Sequence, residues 1–245
     1  MGMKDEEQWK KLFQKDIARG GFEPVKIIGK NGFTELIEEV QKHLKNNMKV
    51  LDVGCGIGHV LLNIYRTTNK KVKMIGIDQS PSRLKIAKMR SKGIKDIYFL
   101  LMDAYKTKFR NNLFDIIINR LGPRSYDEIY RILKKKGLFF LFVTDKEDWR
   151  EVRKHFGFKE YVGLKEQVEM LRKAGFKIIA IKKFSYIEFY RDLESFVKML
   201  EIQPFAPTFS RRKHSKLLKE YENKYRTNFG IISSHKRSLI ISIKQ

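Results

Sequence analysis

Apolar positions along the chain recur with two different periods. Near the start Trp9, Leu12, Phe13 and Ile17 stand at helical spacing among charged residues, predicting a helix that Gly20, Gly21 and Pro24 end. Thr34 opens a second helix whose apolar stripe is Leu36, Ile37, Val40 and Leu44. From Lys49 the pattern changes to short apolar runs separated by helical stretches, the mark of a parallel sheet covered on both faces. The runs are Lys49–Val53, Val72–Asp78, Ile97–Met102, Phe114–Asn119, Leu138–Thr144, Phe176–Lys182 and Ser238–Ile243, which predict seven strands. Ser80 and Pro81 suit the N-cap and first position of a helix that Gly93 closes. Further helices are predicted over about Tyr126–Leu133 and over Lys165–Lys173, the second stopped by Ala174-Gly175. Lys134-Lys135-Lys136-Gly137 reads as the turn into the fifth strand, and the long stretch between the last two strands is mostly helical and rich in aromatics.

Composition narrows the class. A chain of 245 residues, 42% hydrophobic and 12% aromatic, can bury one substantial α/β core with an appendage. No apolar run approaches the roughly 18–20 residues that span a bilayer. The first residues lack the apolar stretch of a secretory signal. The single cysteine, Cys55, excludes an intrachain disulfide and a zinc site built on several thiolates. A protein of the cytoplasm, with no membrane partner and no metal, is expected. The charge is unusual: 52 Lys and Arg against 28 Asp and Glu, a net of +24. Residues 204–245 carry ten basic groups against two acidic, the densest basic segment. Such a balance draws phosphate, so nucleic acid is the first macromolecular partner to consider, and a lysine-rich background composition is the plain alternative.

Candidate chemistry gathers at the strand ends. Val50–His59, V-L-D-V-G-C-G-I-G-H, follows a strand and opens a helix. Glycines there let the backbone turn sharply and approach a ligand, and the helix beyond offers free N–H groups. The dinucleotide fingerprint asks for a glycine three positions after Gly56, where this chain has His59. Asp78 closes the second strand 24 residues after Gly54, near the roughly 20-residue interval of an acid that holds ribose hydroxyls. Asp103, followed by the small Ala104, closes the third. Three successive strand ends thus present Gly54 and Gly56, Asp78 and Asp103 to one crevice.

These segments resemble the class I S-adenosylmethionine-dependent methyltransferases over residues 48–145. V-L-D-V-G-C-G-I-G is similar to their first motif, I-G-I-D-Q-S to the second, M-D-A at 102–104 to the third and F-D-I-I-I-N at 114–119 to the fourth. L-K-K-K-G-L at 133–138 departs from their usual L-K-P-G-G. The resemblance implies a Rossmann-like, seven-stranded, mostly parallel sheet with an antiparallel last strand, helices on both faces and a helical insertion before that strand. It implies one methyltransferase domain: a helical cap over 1–46, a cofactor-binding core over 47–183, an acceptor-binding insertion over 184–235 and the last strand over 236–245. S-adenosylmethionine, leaving as S-adenosylhomocysteine, is the implied cofactor. Asp52, Gly54, Cys55, Gly56, Asp78, Gln79, Asp103, Ala104 and Asn119 are its implied contacts. Asp52 would orient the amino group, Gly54 and Gly56 face the methionine part, Asp78 hold the ribose diol, and Asp103 with the Ala104 backbone recognise adenine. A second likeness, carried by N-R-L-G-P at 119–123, L-E-I-Q-P-F-A-P at 200–207 and the terminal S-H-K-R-S-L-I-I-S, is to a bacterial and archaeal branch. That branch is related to the ribosomal RNA guanine-N1 methyltransferases, but their zinc-finger cysteines are missing here, so their substrate does not transfer.

A sulfonium methyl is already electrophilic, so the protein need only align the acceptor and exclude water, adding a base where the acceptor must lose a proton. None of His43, His59, His155, His214 and His235 stands at telling spacing from a carboxylate, which predicts surface or packing roles. Asn119 and Arg120 are the catalytic candidates. Asn119 would lie by the reactive methyl and Arg120 could hold an acidic or phosphate-bearing acceptor, unless Asp115 or Asp127 pairs with it. N-R-L-G in place of N-P-P-Y disfavours the exocyclic amines of adenine and cytosine. Phe184, Tyr186, Phe189, Tyr190, Phe196, Phe205 and Phe209 could stack on a base or form core. Arg211, Arg212, Lys213, His214, Lys216 and Lys219 could track phosphates or line a solvated face. RNA through the basic C-terminal region is the expected acceptor. A small molecule, or a non-catalytic module that binds cofactor or RNA, is the alternative.

Overall fold

The computed structural model describes residues 24–203 and 205–245. The helix expected around Trp9–Ile17, with Gly20 and Gly21, lies outside them. In chain order the elements are β1 (Lys26–Gly29), α1 (Phe33–His43), β2 (Lys49–Val53), α2 (His59–Thr67), β3 (Lys73–Asp78), α3 (Pro81–Arg90), β4 (Ile97–Leu101), β5 (Phe114–Arg120) and α4 (Tyr126–Ile132). They continue with β6 (Leu133–Thr144), α5 (Arg150–Phe156), α6 (Leu164–Lys173), β7 (Phe176–Tyr190), α7 (Leu193–Glu201), α8 (Ser215–Tyr225), β8 (Arg226–Thr227) and β9 (Gly230–Lys244). The chain falls into two compact units.

The larger unit comprises Gly32–Thr144, Gly163–Lys183 and Arg237–Gln245. Its strand order is β7-β9-β6-β5-β2-β3-β4. β2 pairs in parallel with β3 and with β5, so Val50 faces Met74 on one side and Ile116 on the other. β3–β4 and β5–β6 are parallel too, whereas β9 runs antiparallel to β6, with Leu141 opposite Ile240. This is the Rossmann-like α/β sheet with an antiparallel last strand that the motifs imply. Ile116–Asn119 are all buried, as an unbroken apolar run covered on both faces requires. Leu51, Ile117, Phe139, Leu141 and Leu171 form the centre of the core. Each fully buried side chain of this kind is worth about 1.5–3 kcal/mol, which holds β2 and β5 in the middle of the sheet. Ser80 caps α3 by accepting the Arg83 N–H at 3.4 Å, with Pro81 in the first turn.

The bounds of three strands differ most from expectation. β6 starts at Leu133, because Lys134–Gly137 is a bulge inside the strand rather than a turn before it. The register shifts opposite Phe114–Ile116, Lys136 takes φ 62°, and Lys134 Nζ reaches Asp115 at 2.6 Å. β7 and β9 are also 15 residues long each, so Phe184–Tyr190 is strand and not part of a helical insertion.

The smaller unit is built from residues 145–162, 184–236 and the stretch ending at Asn31. β1 pairs antiparallel with the end of β7, Lys26 opposite Phe189 and Gly29 opposite Tyr186. β8 pairs antiparallel with the start of β9. These two short strands bring the count to nine among the described residues. The core is aromatic: Trp149, Tyr190, Phe196 and Tyr221 are buried, and Phe196 stacks on Tyr221 at 4.9 Å. Among the described residues no helix is long and apolar enough to cross a membrane.

Candidate active site

Because β2, β3, β4 and β5 are parallel, their carboxyl ends open at one edge of the sheet, where α/β sheets hold ligands. β2 leads into a turn in which Gly54 and Gly56 have φ 73° and 53°. That left-handed region costs a residue with a side chain about 1–2 kcal/mol. A Cβ on Gly54 would lie 3.1 Å from the Gly122 backbone, whereas a Cβ on Gly56 would meet nothing within 4 Å. The first glycine therefore serves packing, and the second borders open space. The N–H groups of Gly54 and Cys55 both donate to the Ile77 carbonyl at 2.9 Å. Asp78 completes the join. One carboxylate oxygen accepts from the Gly56 N–H and the other from the Ser80 N–H, each at 2.9 Å. Charge-assisted bonds of this kind set the turn before any ligand arrives.

Asp52 sits beneath the turn, 1% exposed, and neither of its carboxylate oxygens has a hydrogen-bond partner among the described residues. Burial pushes its carboxyl up to about 7, with Arg120 pulling back and Asp78 adding to the push. A buried acid in this state is costly until a cation or donor reaches it. Arg120, at the tip of β5, lies with its guanidinium 4.9 Å from the Phe33 ring centre. Asp115, one of its expected partners, is instead held by Lys134 and by the Lys49 N–H at the other end of β5. Asn119 is wholly buried and its amide is taken up inside the protein. Nδ2 donates to the carbonyls of Val53 at 2.8 Å and Pro123 at 3.2 Å, and Oδ1 accepts from Arg124 at 3.3 Å.

Arg124, Tyr126 and Gln167 are site residues that sequence reasoning missed. Besides Asn119, Arg124 donates to the Gly122 carbonyl, the Tyr126 hydroxyl and Gln167 Oε1 at 3.0–3.1 Å, and the Tyr126 hydroxyl also donates to Gln167. Together they fasten the segment that packs on Gly54. The only local signal was a second arginine four positions after Arg120. Cys55 is buried, which drives its thiol far above the usual range, so it is a packing group and not a nucleophile. Gln79 is half-buried beside Asp78. Asp103 stands exposed beyond the tip of β4, accepting the Tyr105 N–H at 2.8 Å, and Ala104 beside it is buried. The structure thus brings Asp52, Gly54, Gly56, Asp78, Asn119 and Arg120 together, with Asp103 and Ala104 at the neighbouring strand end.

The smaller unit decides between stacking and core for its aromatics. Phe184, Tyr186, Phe189, Tyr190, Phe196 and Phe205 are buried and Phe209 is half-buried, so these rings are core. Arg211 is clamped by Glu194 at 2.6 Å and Glu201 at 2.7 Å. His235, read as surface or packing, is buried with its Nδ1 3.2 Å from Asp148 and its Nε2 3.3 Å from Glu188. Burial alone would lower its pKa, but the hydrogen bonds and charges of these two carboxylates outweigh it and the net shift is upward. Among the described residues no group of three or more His, Cys, Asp or Glu could hold a metal ion.

A family model described as "Methyltransferase domain" matches residues 44–175. The chain is 36% identical over 107 residues to the cyclopropane-fatty-acyl-phospholipid synthase of Escherichia coli K12, covering 40% of this chain and 26% of that one. It is 28% identical over 137 residues to YxjB of Bacillus subtilis, whose name assigns it provisionally to 23S rRNA guanine-N(1) methylation. That match covers 52% of this chain and 48% of the relative. The chain therefore spans about a quarter to a half of the length of these curated relatives. Among solved structures, the YcgJ protein of Bacillus subtilis superposes with a TM-score of 0.66 at 21% identity, covering 86% of this chain and 99% of that one.

Proposed function

The chain belongs to the methyltransferase domain family, and on that premise we propose that it moves the methyl group of S-adenosylmethionine onto RNA in the cytoplasm. One observation carries the cofactor half of this reading. Asp52 is a buried carboxyl group without a hydrogen-bond partner among the described residues, beside a glycine turn that opens onto free space at Gly56. A ligand with a cationic head fits that arrangement, and the methionine ammonium supplies one. When bound, S-adenosylmethionine provides an electrophilic methyl. Asp52 orients the ammonium, and Gly54, Cys55 and Gly56 shape the turn around the methionine part. Asp78 holds two amides and, with about four lone-pair sites, keeps acceptor capacity for ribose hydroxyls. Gln79 flanks that site, and Asp103 with the Ala104 backbone takes the adenine. Asn119 positions the 121–124 segment at the methyl site, and Arg120 pairs with an anionic group of the acceptor. The protein contributes alignment and exclusion of water.

RNA is favoured as acceptor by the net charge of +24 and by the likeness to YxjB. A small-molecule acceptor is the second reading, and the burial of the aromatics that could have stacked on bases favours it. Calorimetry with S-adenosylmethionine and S-adenosylhomocysteine, followed by tritiated methyl transfer into fractionated RNA and a metabolite pool, separates them. Heat with both ligands and label in RNA are expected. Label confined to the metabolites overturns the RNA half, and no heat with either ligand overturns the whole.

A further inference from the structure

We infer that a cleft between α5 and α8 on the smaller unit binds the phosphate backbone of an RNA strand, an inference that rests on the RNA reading above. Arg150 and Lys154 are four residues apart on α5, so their exposed side chains stand in one row. Lys224, near the end of α8, supplies a third cation, and His155, Tyr225 and Glu151 complete the lining of a cleft of about 430 Å³. Its walls are fixed. His155 Nε2 donates to the Leu217 carbonyl at 2.8 Å, its ring meets Tyr221 edge-on at 5.3 Å, and Tyr221 packs on Tyr225 at 4.4 Å.

Charge decides what the cleft takes. Glu151 is its one acid, and both carboxylate oxygens accept from Ser234, one from the N–H and one from the hydroxyl. Lys154 and Lys224 make no ion pair among the described residues. Arg150 pairs with Glu147 at 2.6 Å, but both side chains are more than a third exposed. Such a surface pair is worth at most about 1 kcal/mol and yields readily to phosphate. A small-ligand pocket is concave and mainly apolar, whereas this cleft is lined by cations in a row with a tyrosine ring alongside. A charged groove with an aromatic platform is how proteins follow a single strand.

The test is fluorescence anisotropy of the full chain with a labelled single-stranded RNA over a range of salt. Three proteins are compared: the native chain, Arg150→Gln/Lys154→Gln/Lys224→Gln, and a charge-matched control, Lys70→Gln/Lys92→Gln/Lys177→Gln, altered at exposed positions of the larger unit. S-adenosylmethionine affinity, read by calorimetry, should be the same in all three and reports an intact fold. The cleft variant is expected to bind RNA about tenfold weaker and to lose about 2 from the salt slope, at roughly 0.7 per phosphate contact, while the control stays within about twofold. Equal losses in the two variants, or no loss in the cleft variant, overturn the cleft and leave the RNA reading standing. A native chain that binds no RNA overturns both. RNA displaced as readily by inorganic phosphate as by unlabelled RNA overturns the polynucleotide assignment in favour of a small phosphate ligand.

Discussion

Asp52 is held in the folded chain against its own preference. Its carboxyl titrates near 7 when buried, against 3.8 in a solvated reference, so the folded state binds the proton more tightly than the unfolded one. Its contribution to stability is complete below about pH 4 and is lost as pH rises through about 7, a swing on the order of 4 kcal/mol at roughly 1.4 kcal/mol per unit. The ligand-free protein should therefore melt lower at pH 8 than at pH 5, and Asp52→Asn should flatten that fall. At pH 8 the variant should melt roughly 5 °C above the parent while binding S-adenosylmethionine at least about tenfold more weakly. Affinity of the parent should strengthen from pH 6 to 8, because the ammonium needs the ionised acid. Calorimetric titrations across that range check it, and a flat profile would remove Asp52 from the role. Gly56→Ala tests the same pocket from the other side. The left-handed φ should cost about 1 kcal/mol of stability, read by melting. The added methyl group enters space now empty, and calorimetry should show cofactor affinity down about tenfold with the fold intact.

At the scale of elements, His235 ties three pieces of the smaller unit together. It projects from β9 to Asp148, in the turn before α5, and to Glu188 on β7, while its ring stacks on Tyr186 at 4.5 Å. With Asp148 at one nitrogen and Ser233 and Glu188 at the other, the surroundings favour the imidazolium. Since its pKa is raised on folding, its stabilisation is complete below about 6.5 and is lost as pH rises through the folded value. His235→Gln should cost about 3 kcal/mol at pH 6 and clearly less at pH 9, a difference that melts at the two pH values would read. Equal costs would show that packing alone is at stake. This knot also shows what the sequence could not disclose. Gly54, Gly56 and Asp78 were legible because a glycine turn and a strand-end acid are local statements. His235 and Asp148 are 87 residues apart and Arg124 and Gln167 are 43 apart, so only the fold brings them together. Strands were legible while their runs stayed aliphatic. At Phe184 the chain turned aromatic and lysine-flanked, and the alternation of Phe184, Ser185 and Tyr186 was hidden by helical-looking neighbours. β1 and β8, four and two residues long, are too short for any period to show.

For the molecule as a whole, the formal charge of +24 does not say which cations stand uncompensated. Arg226 is matched by Glu222, and Arg211 by two glutamates. RNA binding by the native chain should therefore weaken with added salt along a slope set by a handful of contacts and not by the tail's ten cations; anisotropy from 50 to 300 mM KCl measures it, and a slope near ten would refute it. Lys244 carries the point furthest. Its ammonium rests on the carbonyls of Tyr130 at 2.6 Å and Leu133 at 2.9 Å, where α4 ends. There it plugs a helix terminus in place of luring polyanions. A protein that looks uniformly cationic on paper thus projects a patchy field, and a charged partner would find it by address, not by bulk attraction.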